Sequence, residues 1–116
     1  MASHATITDP VMTRFRQALT ESYGNRLERV VLFGSRARGE ARPDSDVDLL
    51  VVEKEPFSPQ RSRRKEIFRL SMALRHLPVA KDILIYSRDE FDYWRDSLNH
   101  VVGHASREGR VLHARY

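Results

Sequence analysis

Apolar residues recur at two different spacings along this chain, and the spacings divide it into helices and strands. Val11, Phe15, Ala18 and Leu19 repeat at helical intervals, predicting a helix from about Pro10 to Ser22. Thr8 or Asp9 caps its start, Pro10 fits the first turn, and Tyr23-Gly24-Asn25 stops it. Leu27 to Phe33 carries the β-branched pair Val30-Val31 and reads as a buried strand ended by Gly34. Ser35 to Gly39 has room for only a turn or two of helix, and Arg42-Pro43-Asp44-Ser45 is a loop by composition. Asp46 to Val52, nearly continuously apolar after its acidic start, predicts a second strand.

Beyond a linker from Glu55 to Pro59, a helix is expected from about Gln60 to His76. It sets Ile67, Leu70, Met72, Ala73, Leu74 and Leu77 largely on one side. Arg61, Arg63, Arg64, Lys65 and Arg69 fall mostly elsewhere, as a solvated face. Pro78 breaks the helix, and Val79 to Tyr86 predicts a third strand with Asp82 among apolar neighbours. A short capped helix from Ser87 to Trp94 follows, then a last helix from Ser97 to Glu108 stopped by Gly109. Arg110 to Tyr116 either pairs as an edge strand or lies along the surface.

With 116 residues, 41% hydrophobic and 31% charged, residues 1–116 are expected to form a single domain with one core. No apolar run reaches the ~18 residues of a membrane helix, so a soluble, cytoplasmic protein is expected. Cysteine is absent, so any metal must be held by oxygen or imidazole. The net charge of +4 is mostly arginine, which suits phosphate and carboxylate partners. Sixteen interspersed acidic residues make general nucleic-acid coating the weaker reading.

The chemistry concentrates between Leu32 and Val52. Gly34, at a strand end, lets backbone approach a ligand without a Cβ in the way, and the helix start after it offers N–H groups to an anion. Ser35 can cap that helix, bind a phosphate oxygen, or both. Asp46 and Asp48, two apart on a strand, point to one face, where a hard divalent cation would relieve their repulsion. Asp82, costly to bury alone in an apolar strand, is the natural third ligand. Lys81 points to the opposite face and is poorly placed to neutralise it.

Gly34-Ser35, ten residues, then Asp46-x-Asp48 between two apolar strands, with Asp82 on a later strand, resembles the DNA polymerase β-like nucleotidyltransferase superfamily. The fuller stretch, and the ending from Ala105 to Leu112, is similar to its minimal nucleotidyltransferase (MNT) group. The resemblance implies an α/β (α+β) nucleotidyltransferase fold, a small mixed sheet with helices packed mainly on one side. It implies Mg²⁺, as two ions, held by catalytic Asp46, Asp48 and Asp82, and transfer of AMP from ATP to a hydroxyl. Asp82 would also be the candidate proton acceptor. Gly34, Ser35, Arg36, Arg38 and Ser45 are the candidate nucleotide-binding residues, and Arg42 lies in the same loop.

In this group the neighbour is typically a helical HEPN toxin, so the resemblance further implies an antitoxin that modifies a partner tyrosine. Neutralisation by binding alone, and transfer to a small molecule or an RNA end, are the alternatives. An oligomer is compatible with the sequence; acceptor, base preference and the number of nucleotides transferred are left open. Three other features have plainer readings. His100 and His104 lack an evident third ligand. Phe91, Tyr93 and Trp94 read as core or partner contacts, and the Arg61 to Arg69 run, which could touch RNA or an acidic protein, as a solvated helix face.

Overall fold

A computed structural model describes residues 10–40, 42 and 46–115. The expected helix caps Thr8 and Asp9, and the candidate Ser45, lie outside them. Four strands form one mixed sheet in the order β3-β2-β1-β4. Strands β1 (Leu27–Phe33) and β2 (Val47–Glu53) pair antiparallel across the short helix α2 (Gly34–Ala37). Strand β3 (Lys81–Ser87) runs parallel to β2, so its connection must cross over, and helix α3 (Arg63–Ala73) supplies the crossover. Strand β4 (Arg110–Ala114) closes the other edge antiparallel to β1, so the tail pairs as an edge strand.

The sheet has two covered faces. On one, Val30, Leu32, Leu49, Val51, Ile83 and Ile85 meet Phe15 and Leu19 of α1 (Pro10–Tyr23) and Leu70 of α3. On the other, Val31, Leu50 and Val52 meet Phe91 of α4 (Arg88–Trp94) and Val102 and Ala105 of α5 (Val101–Glu108). The expected one-sided packing therefore describes the two long helices, while the short pair closes the reverse face. Such double coverage explains why Leu49 to Val52 reads as an unbroken apolar run: alternate residues enter different cores.

Several boundaries differ from expectation for local reasons. Helix α3 starts late because Ser58 and Arg61 exchange backbone hydrogen bonds in a tight turn, after which Ser62 Oγ accepts the Lys65 N–H as cap. It also exposes Met72, 44% accessible, which the apolar pattern assigns to the buried side. Helix α5 starts at Val101 and not at Ser97, because the preceding segment crosses it: a Cβ on Gly103 would overlap the Ser97 carbonyl oxygen. His100 caps it instead, its Nδ1 accepting the Val102 N–H at 3.1 Å.

Candidate active site

Strand register brings the acids together. Asp48 of β2 is the direct partner of Asp82 on β3, at the ends where both parallel strands begin. Partners across a ladder present their side chains to the same face, here the one covered by α4 and α5. Asp46 immediately precedes β2, two residues from Asp48. The carboxyl of Asp48 is raised above the usual carboxylate range by its partial burial first, then by the charges of Asp82 and Asp46, with Arg38 pulling the other way. Those contributions mark all three acids as electrostatic neighbours.

One expectation about Asp82 is overturned. Its side chain is exposed at the start of an edge strand, so burial cost is not what ties it to the site; the register is. Lys81 behaves as expected: it turns to the other face, its Nζ donating to the Leu77 carbonyl at 3.0 Å. Among the described residues, no three acidic or imidazole side chains already stand close enough together to form a ready metal-ligand set.

Gly34 sits where β1 turns into α2, directly beside this acid pair, and its φ of +73° is a conformation that side chains disfavour. A Cβ there would overlap Asp48 Oδ2 and lie 3.1 Å from Asp48 Cγ. The room left by the missing side chain is thus taken by the Asp48 carboxylate, where the sequence suggests room for a ligand.

Ser35 lies inside α2, whose cap position is Phe33 with no side-chain cap bond. The capping role therefore does not apply to Ser35, and its half-buried side chain sits one residue from Gly34. Arg38 Nε pairs with Glu40 at 2.5 Å on the surface. Arg36 and the exposed Arg42 belong to the same connection between β1 and β2. Arg110 received no role from the sequence, yet its Nε donates to the Ala37 carbonyl at 3.0 Å and fixes the far end of α2. Only the pairing of β4 with β1 brings residues 110 and 37 together.

The remaining candidates are structural. His100 stacks on Trp94, rings 4.1 Å apart and 9° from parallel, while capping α5, and so forms no metal clamp with His104. Phe91 is fully buried, whereas Tyr93 is 76% exposed. Arg61 meets the buried carboxylate of Glu53, Arg63 meets Glu90, and Arg69 meets Glu66, so three of the five residues of the basic run are committed to ion pairs.

A mixed four-stranded sheet with Asp48 and Asp82 facing one another where its parallel strands begin, beside the Gly34 turn, defines the α/β class of the domain. Comparison with known proteins gives the class a family. The chain belongs to the nucleotidyltransferase domain family, whose model matches residues 12–112. It is 33% identical over 61 residues to a candidate protein adenylyltransferase of Methanocaldococcus jannaschii, covering 53% of this chain and 60% of that protein. Across the curated relatives it matches, the chain spans 44–60% of their length.

Among solved structures, a candidate nucleotidyltransferase from Sulfolobus solfataricus shares the fold with a TM-score of 0.56 and 22% identity, over 90% of this chain and 85% of that one. So does a tri-AMPylated Shewanella oneidensis HEPN toxin in complex with its MNT antitoxin, with a TM-score of 0.51 and 16% identity, over 93% and 73%. Among the described residues, no helix is long and apolar enough to cross a membrane.

Proposed function

We propose that this chain is a Mg²⁺-dependent nucleotidyltransferase that moves AMP from ATP to a hydroxyl of a partner protein. The observation that carries this reading is the Asp48–Asp82 register pair with Gly34 packed against it. The donor set fits the ion: three carboxylates offer only oxygen, which Mg²⁺ prefers, and Asp48 already bears the repulsion that a divalent cation relieves. Asp46, Asp48 and Asp82 would hold two Mg²⁺. Bound there, such ions supply charge neutralisation to a triphosphate and acidity to an attacking hydroxyl.

The protein's own groups have separable tasks in this proposal. Ser35, Ser45 and the backbone at Gly34 hold the triphosphate, and Arg36, Arg38 and Arg42 offset its charge. Exposed Asp82 is the acid within reach of an incoming hydroxyl and accepts its proton. Family membership and the resemblance to candidate protein adenylyltransferases support ATP as donor and a protein as acceptor. The HEPN toxin of the structurally similar Shewanella complex, itself AMPylated, supports a HEPN toxin as the leading partner and antitoxin as the role; the hydroxyl we assign as acceptor is that of a partner tyrosine.

With Mg²⁺ and α-labelled ATP, label is expected on a cognate HEPN protein. It should be lost with magnesium chelation and in the Asp46→Asn/Asp48→Asn variant, by roughly 10³-fold or more. If that variant silences the partner equally well without label, neutralisation is by binding. Label on an aminoglycoside or an RNA end instead of protein would reassign the acceptor.

A further inference from the structure

The basic residues on and flanking α3 separate into two sets. Arg61, Arg63 and Arg69 are committed to Glu53, Glu90 and Glu66. Arg64, Lys65 and Arg75 are exposed and take part in no ion pair among the described residues. At 3.6 residues per turn, Arg64 and Lys65 fall on the same side of the helix as Phe68 and Met72, opposite Leu70 in the core, and Arg75 follows in the turn just past the helix end. Phe68 is 69% exposed and Met72 44%, two of the four exposed large hydrophobic residues among the described ones. An apolar centre thus carries a rim of uncompensated positive charge. Beside Lys65, the surface dips into a cleft of about 580 Å³, with Arg26, Arg61 and Arg69 also on its walls.

We propose that this outward face of α3 is a docking surface for an acidic amphipathic helix of another protein. Phe68 and the flexible thioether of Met72 receive its apolar stripe, and Arg64, Lys65 and Arg75 pair with its flanking carboxylates. A second copy of this chain is the poorer occupant, because an isologous contact would set these cations against themselves. RNA is poorer too: the centre of the patch is apolar, and Phe68 is a single aromatic, not a stacking platform. The surface lies on the sheet face opposite Asp48 and Asp82, so docking there is independent of catalysis.

The probe is a fluorescein-labelled helical peptide of about four turns, with leucine at i, i+3, i+4 and i+7 and glutamate elsewhere, followed by anisotropy. A scrambled peptide of the same composition, oligouridylate and anionic phosphatidylserine vesicles serve as comparators. The helical peptide should bind best, more weakly as salt rises. Phe68→Ser and Arg64→Glu/Arg75→Glu should each weaken it roughly tenfold, with unchanged thermal melts. The Asp46→Asn/Asp48→Asn variant should bind it as wild type does. Absent binding, equal binding of the scrambled peptide, unchanged binding by the α3 variants, or stronger binding of oligouridylate or vesicles through the same residues would each overturn the proposal.

Discussion

Gly34 and Asp48 are coupled at the scale of single residues, since the carboxylate occupies the space a Cβ at 34 would need and the backbone there has positive φ. Gly34→Ala should therefore cost about 1–3 kcal/mol by thermal melt and displace Asp48, lowering transfer more than an equally destabilising core change. Asp48 gives a pH prediction of definite sign. Its folded pKa is raised, first by burial and then by Asp82 and Asp46, so its ionised form costs stability. That cost is fully present above the raised value and is relieved as pH falls through it. In the absence of divalent metal, Asp48→Asn should raise the Tm slightly at neutral pH, and the gain should vanish in acid.

Turning to elements, α4 opens with a capping box in which the Ser87 side chain accepts the Glu90 N–H while Glu90 accepts the Ser87 N–H at 2.9 Å. The spacing of serine and glutamate was visible in the sequence. Arg63, 27 positions earlier, was not readable as the partner of Glu90, because α3 and β3 must first fold beside each other. Burial pushes the Glu90 carboxyl upward, but the Arg63 guanidinium and the Ser87 bonds outweigh it and hold it low. Its stabilisation is complete above the ordinary glutamate value of about 4.3 and is lost as pH falls through the lowered one. Glu90→Gln keeps the cap geometry and removes the charge, so denaturant titration should find a loss of about 1 kcal/mol at pH 7, fading in acid.

Across the whole molecule, Arg61 fastens the linker that leaves β2 to the sheet and to α3. Its guanidinium meets Glu53, which is 1% exposed, reaches Glu66 at 3.3 Å, and donates to the Glu55 carbonyl at 3.1 Å. Removing it strands a buried carboxylate, so Arg61→Ala should cost about 3 kcal/mol by chemical denaturation, far more than Arg64→Ala on the exposed face. Double replacement of Arg61 and Glu53 by apolar residues should recover part of that loss.

By itself, the sequence determined what depends on near neighbours. Periodicity located the long helices and the three central strands, and the two-residue spacing of Asp46 and Asp48 set both toward one face, because side-chain direction alternates along a strand. Glycine before serine at a strand end marked the tight turn. Tertiary structure alone decided what depends on pairing between distant segments. It aligned Asp82 with Asp48 through a parallel register, and it placed Asp82 in solvent where its apolar neighbours suggested burial. It filled the Gly34 space with Asp48, and it used His100 as a cap and Arg110 as an anchor for α2. The division follows from range: backbone geometry fixes direction within an element, whereas crossover and strand order, which no local pattern encodes, decide which elements meet.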